Sequence, residues 1–533
     1  MVLATCAVAP LRAEGACEPG RELLVDGLGT PAAEVLRTAQ LAGAAPLAPD
    51  LIRRGGAHEA LLCAGGEGFA WADRVAQVPA DDDRLAVLPV RVASVWNLRF
   101  PSAGNDGLLW AGRGFSTLAS AGIYARLGPL SAALAPEIAW QQNAWFETVP
   151  TGRTGDLAFE NPWYRSAFDG PQRFGAGPFA VASPGQSFLQ LDLWGAAVGV
   201  STENRWLGPG LRNALLLTNA GPGFPHLFLG TSHPVEIGIG KIEALALWGQ
   251  LDRSRYGRDR GSPWFTALAV DWEPRWVPGL YFGAARAFVE TAASLRGDAF
   301  LTILESPWKS QVAGGDNSQD NQVAALWFRW VLTESAAELY GEWGKDDFPA
   351  SVGALIRETS KTQAWVLGFQ KLSRAGSRWV RVQIELSSLY DGGGKVADAA
   401  VPFGYYVHGL GLGYTNGGQP LGAFVGPGAI AAWLAVDVLG RSGRIGAYVE
   451  RIERNADVFY GWISPDPARR TDRDTEITVG VRQVIVTGPL ELSWDAAGGY
   501  RWNRDFGRNE PSARIALSIA APAARRGPAA GQP

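Results

Sequence analysis

Residues 378–388 read RWVRVQIELSS. Val380, Val382, Ile384 and Leu386 take alternate places, and Arg381, Gln383 and Glu385 take the places between. Side chains of a strand point to opposite faces with a period of two, so this segment has one apolar and one charged face. The pattern returns along the chain. RIALSI sets Ile515, Leu517 and Ile519 against Arg514, Ala516 and Ser518. PLELSWDA sets Leu490, Leu492 and Trp494 against Glu491, Ser493 and Asp495. In TEITVGV the apolar row is Ile477, Val479 and Val481, and in SFLQLDLW Leu189, Leu191 and Leu193 oppose Gln190 and Asp192. AAELYGEW places Glu338, Tyr340 and Glu342 opposite Leu339, Gly341 and Trp343.

Two features separate these strands from those of a soluble sandwich. The polar faces repeatedly carry full charges, as a wet lumen allows. Aromatics also gather near strand ends: Trp140, Trp194, Trp248, Trp264, Tyr281, Trp327, Trp330, Trp379, Tyr405, Tyr406, Trp433, Tyr448, Trp494 and Tyr500. Such girdles mark the two water–lipid boundaries. No Pro/Ser-rich linker divides the chain between Leu85 and Ala521.

The composition agrees with this reading. Of 533 residues only 19% are charged, with 67 Gly and 22 Trp. The net charge of -4 and the lack of a Lys/Arg block give no sign of a nucleic-acid partner. No window has the ~18 consecutive apolar residues of a spanning helix. The nearest, AIAAWLAVDVLG at 429–440, is broken by Asp437.

Strands that meet lipid must close on themselves, because every backbone N–H and C=O needs a partner there. The sequence therefore predicts a mostly β protein: a large antiparallel transmembrane β-barrel over residues 85–521. About 9–11 residues per span give on the order of 16–20 strands, with about 18 the best fit. Loop candidates are 149–176, 202–232, 308–322, 344–361, 390–401 and 462–474.

Residues 18–84 differ. PAAEVLRTAQLAGAAPLAPDLIRR and HEALLCAGGEGFAWADRVAQV carry helical spacing, broken by Pro46, Pro49 and Gly55-Gly56. They predict a small helical module on the periplasmic side. Residues 1–17 are expected to be a signal-peptide remnant or a disordered start, and 522–533 a disordered tail. The three Cys, at 6, 17 and 63, suit an envelope protein. Cys17 and Cys63 either pair and pin the module or remain free thiols.

Chemistry-bearing motifs are sparse. There are four His, and no HExxH, Cys-x-x-Cys or Gly-x-Ser-x-Gly is present. The expectation is a non-catalytic protein with no cofactor and no metal.

The segment ENRWLGPGLRNALLLTNAGPGFPHLFLG, from residue 203, resembles the signature of the Wzi capsule-assembly family. There a Trp-rich turn W-W-G-P-G leads into a Leu-rich strand and an Asn-containing turn. Trp206, Gly208, Pro209 and Gly210 match, with Leu207 in place of the second aromatic. Leu215, Leu216, Leu217 and Asn219 continue the match, and Gly221-Pro222 departs from it. DNQVAALWFRWVLTESAAELYGEWGKDDF (320–348), TQAWVLGFQK (362–371), YVHGLGLGYTNGGQPLGAFVGPG (406–428) and RTAQLAGAAPLAPDLIRR resemble the family too. Together the resemblance spans nearly the whole chain.

The resemblance implies a lectin-like barrel in the bacterial outer membrane. It would bind capsular or exported polysaccharide at the cell surface, touch outer-membrane lipid and export machinery, and act as a monomer. Glu203, Asn204, Arg205, Trp206, Asn213 and Asn219, with Asp316, Asn317, Asp320 and Asn321, are candidates for polysaccharide contact or lumen constriction. Gly208, Pro209 and Gly210 form a stiff turn whose glycines permit backbone angles closed to other residues. The alternative is a passive porin, which needs an open bore where the lectin needs an occluded one.

Overall fold

A computed structural model describes residues 19–25, 27–63, 84–257, 261–291, 320–346, 362–390, 404–408, 411–487 and 490–521. Eighteen antiparallel strands form a closed barrel. Each pairs with its neighbour in sequence, and the last, Arg508–Ala521, closes on the first, Arg84–Asn97, with Arg514 opposite Asn97. Three strands are interrupted: 130–141 near Pro136, 179–193 by a one-residue register shift, and 226–236 near Pro234. No described helix is long and apolar enough to cross a membrane.

The barrel is inside out relative to a soluble protein. On Arg378–Ser388, Arg381 is 1% exposed and Gln383 and Glu385 are buried, whereas Ile384 and Leu386 are exposed. On Thr475–Thr487, Val479 is 59% exposed between exposed Ile477 and Val481. The apolar rows face outward, the charged rows inward, and closure pairs the edges.

The two rims differ. At one rim the connections are short, as at 128–129, 194–195, 376–377 and 441–442. At the other they are long: 98–113, 142–178, 202–225, 251–263 and 454–474, with a further long connection starting at 389. Among the sequence-predicted loops, 202–232 is shorter than expected, because His226–Thr231 is a strand. Residues 308–319, 347–361 and 391–401 lie outside the described residues.

Outward aromatics do gather in belts. Trp96, Phe115, Trp140, Tyr500 and Trp502 stand exposed toward the long-loop rim, and Trp276, Phe282 and Trp330 toward the other. Trp194 is fully exposed in a short turn. Several aromatics expected in the girdles are elsewhere. Tyr281, Trp327, Trp379, Trp433 and Tyr448 point into the lumen, and Tyr405 and Tyr406 belong to an inward loop. Trp248 and Trp264 keep the outward parity near the long-loop rim, where they are buried in one cluster. Nearness to a strand end sets the height of a ring; only strand parity sets its side.

The N-terminal segment carries one helix, Pro31–Leu41, rather than two among its described residues. Thr30 caps it, its hydroxyl accepting from Ala33 N–H at 3.3 Å, and Pro31 occupies the first turn. The expected second helix begins instead as a strand: His58–Cys63 pairs with Pro19–Val25. A short apolar run fits either state, and here strand pairing decides it. Residues 64–83 lie outside the described residues.

Candidate functional site

Helix Pro31–Leu41 lies within the barrel near the short-turn rim. Val35, Ala39 and Leu41 join the same buried cluster as the lumen residues Phe265, Tyr281 and Val331. Buried ion pairs fix it there. Arg37 Nε donates to Glu338 Oε1 at 3.0 Å, and Arg329 donates to the other Glu338 oxygen at 3.0 Å. On the opposite flank, Glu34 pairs with Arg444 at 2.8 Å and with Arg381. Arg381 and Arg482 both reach Asp437, at 2.8 and 2.7 Å. Burial alone would raise the Glu34 carboxyl, but the guanidiniums of Arg444, Arg381 and Arg482 outweigh it and hold it below the ordinary carboxylate range.

A second element, loop 202–225, descends from the long-loop rim. Its strand Arg205–Leu207 pairs with Ile52–Arg54, placing Trp206 opposite Arg53. The Arg53 guanidinium lies 4.6 Å from the Trp206 ring and donates to the Gly208 and Gly210 carbonyls at 3.0 and 2.6 Å. Gly208 has φ 119°, and a Cβ on Gly210 would meet the Asn213 carbonyl oxygen at 1.7 Å. Both positions therefore require glycine. Two strand carboxylates then hold the turn. Glu342 accepts from the N–H groups of Gly210 (3.0 Å) and Leu215 (2.8 Å). Glu385 accepts from the N–H groups of Leu211 (2.7 Å), Arg212 (3.0 Å) and Asn213 (2.8 Å), and from the Tyr340 hydroxyl (2.8 Å).

A third element, residues 404–408 and 411–429, packs on the second. Tyr406 stacks on Tyr414 with centroids 5.2 Å apart, and its hydroxyl donates to the Leu215 carbonyl at 2.7 Å. Thr218 N–H donates to Leu421 O at 2.8 Å. Together these three elements fill one side of the lumen.

On the other side a cavity of about 1060 Å³ remains. Arg212 pairs with Glu450 at 2.7 Å, Arg514 with Asp106 at 3.2 Å, and the Tyr448 hydroxyl donates to Asp495 at 3.0 Å. Arg212 and Arg482 both lie against the Trp433 ring, at 5.5 and 5.1 Å. Among the described residues no group of three His, Cys, Asp or Glu is placed to hold a metal ion. Planar guanidinium and carboxylate groups beside an aromatic ring suit hydroxyl-rich ligands.

The family model of capsule assembly protein Wzi matches residues 110–506, which include the lumen loops and most of the barrel. The chain belongs to the Wzi capsule-assembly family. Its barrel is similar to the solved structure titled Wzi, an outer membrane protein involved in group 1 capsule assembly in Escherichia coli and a carbohydrate-binding β-barrel. The TM-score is 0.58 at 13% identity, covering 94% of this chain and 99% of that one. More distant are Pseudomonas aeruginosa OccK2 (TM-score 0.39, 12% identity, covering 82% and 97%) and a BenF-like porin from Pseudomonas fluorescens Pf-5 (TM-score 0.40, 10% identity, covering 83% and 99%). No curated protein sequence matches the chain.

In this Wzi-family barrel the sequence-predicted residues divide. Glu203 is buried, pairing with Arg205 at 2.6 Å and Arg54 at 3.1 Å and accepting from Gly56 N–H at 2.9 Å. Burial would raise its carboxyl, but Arg205 and Arg54 lower it on balance. Asn204 donates to the Gly221 carbonyl at 2.9 Å. Asn213 sits at Glu385. These residues build the plug. Trp206 and Asn219 also line the cavity, and the Asn219 side-chain oxygen is buried without a protein partner. Asp320 and Asn321 lie at the start of a strand, where Asn321 ties the third inward element to the wall by donating to Leu412 O at 2.8 Å. Asp316, Asn317 and Cys17 lie outside the described residues, so the question of a Cys17–Cys63 bridge does too.

Sequence reading missed the cavity wall: Arg212, Trp433, Tyr448, Arg482, Asp495 and Arg514. The signal was present. Trp433, Tyr448, Arg482, Asp495 and Arg514 occupy the inward parity of the strands that supply them.

Proposed function

We propose that this protein resides in the bacterial outer membrane and holds capsular or exported polysaccharide at the cell surface without cleaving it. The observation that carries this reading is the partly filled lumen of a Wzi-family barrel, where inward elements occupy one side and leave a cavity on the other. A helix and two inward loops are tied to the wall by buried carboxylates and guanidiniums, where a solute channel would need a bore. Short turns belong on the periplasmic side and long loops outside. Helix Pro31–Leu41, expected in a module outside the barrel, instead lies in the lumen near the short-turn mouth, on the side from which export machinery would approach. The long-loop rim meets the polymer, and the exposed apolar belt meets lipid. The protein acts as a monomer. Individual sugar contacts are weak, and a polymer stays attached by making many of them.

Planar-bilayer recording tests the reading. The purified protein is expected to show no large steady conductance, and large conductance would overturn it in favour of a porin. Deleting the protein should release surface polysaccharide into the medium, and incubation with that polysaccharide should create no new reducing ends.

A further inference from the structure

The helix and inward loops occupy one side of the lumen, and the long-loop rim above it has one part with a specific chemistry. Loop 454–474 begins with Asn455 in the left-handed region, at φ 52°. Ala456–Val458 then forms a helical turn that widens into a π-helix at Phe459–Ile463, with Ser464 N–H donating to Phe459 O at 2.8 Å. Such wide turns and strained residues occur where a side chain must be presented in a set direction. Here Phe459 turns inward, buried and stacked on Phe506 at 6.2 Å, while Tyr460 remains 37% exposed. Tyr390 lies beside it with ring centroids 5.1 Å apart.

Arginine completes the ledge. The Arg473 guanidinium lies 5.6 Å from the Phe459 ring and 5.4 Å from the Tyr460 ring. Neighbouring arginines are engaged: Arg469 with Asp472, Arg454 with Glu476 and Arg501 with Asp474. Arg473 and Arg470 are exposed and make no ion pair among the described residues. The surface therefore presents an exposed guanidinium without an ion-pair partner beside two aromatic rings, with Asp466 an exposed carboxylate in the same loop.

We propose that this ledge docks an acidic segment of the polysaccharide, one carrying sugar carboxylates. A sugar ring lays its C–H face on Tyr460 and Tyr390, and its carboxylate meets the forked donors of Arg473, with Arg470 adding attraction. A neutral glycan would stack on the rings but leave the guanidiniums unanswered. This assignment rests on the polysaccharide-holding reading.

The test is titration of the full chain in detergent with oligogalacturonate and with a neutral dextran oligomer of equal length. The acidic oligomer should bind about tenfold more tightly, with an affinity that falls as salt rises. Arg473→Gln should remove that preference and its salt dependence. Tyr460→Leu should weaken both ligands. Retained heat-modifiable migration on gels would show that each variant is folded. Equal binding of the two oligomers overturns the acidic assignment. Oligogalacturonate binding unchanged in both variants overturns the ledge alone and leaves the polysaccharide-holding reading standing. Failure of every glycan to bind, the native polysaccharide included, overturns both.

Discussion

The barrel wall consists of two unlike arcs. Along the strands from Gly240–Gln250 to Arg378–Ser388, many lumen residues are apolar and buried: Leu247, Phe265, Ala267, Tyr281, Val323 and Val366. From Gly443–Glu453 to Arg508–Ala521 and on into Arg84–Asn97, the lumen face carries Glu450, Glu476, Arg482, Asp495, Arg514 and Arg91 around the cavities. The first arc meets protein across the lumen and the second faces the cavities. A barrel's inward face therefore takes its character from what stands opposite, whereas its outward face is set by lipid all the way round.

The largest expected effect breaks the filled arc. Glu385→Ala leaves three N–H groups of the inward loop without their acceptor, at a cost of about 3 kcal/mol or more. Urea unfolding in micelles, followed by Trp fluorescence, should show the loss, and bilayer recordings should show new openings. Next comes the outward face. Val479→Arg on the open arc and Ile384→Arg on the filled arc should each cost about 2–4 kcal/mol in refolding into vesicles. A large difference between them would mean that lipid does not see the arcs alike.

The pH response is smaller and local. The Glu34 carboxyl is held below its ordinary 4.5, so its grip on Arg444 and Arg381 is in full force above that value. The grip weakens as pH falls further and the carboxylate takes up a proton. Brief channel openings should appear on acidification, and Glu34→Gln should show them at neutral pH. The smallest effect belongs to the open arc: Arg91→Ala, which removes a half-buried pair with Glu491 at 3.4 Å, should lower the unfolding free energy read from urea titration by less than about 1 kcal/mol.

The same contrast explains what could be read from the sequence. RWVRVQIELSS and TEITVGV alternate cleanly because their two faces meet different surroundings, and they carry the fold. WFTALAVDWEP, at Trp264–Pro274, does not alternate, because its inward face packs on the plug and is apolar too. The Trp206–Gly210 turn was legible from its glycines and proline. Its anchors, Glu342 and Glu385, were not, because they lie more than a hundred residues away and nothing local links them. The second strand of the N-terminal sheet was misread for a related reason: its partner, Pro19–Val25, comes from before the helix.

The bond between Glu34 and Arg444 joins positions 410 residues apart, and the helix that carries Glu34 lies inside the ring formed by residues 84–521. The earliest described helix is thus enclosed by the segment that follows it. Contacts so distant along the chain form slowly. The hoop must either shut around a cargo already in place or admit it through the mouth afterwards, so assembly has an order as well as an end point.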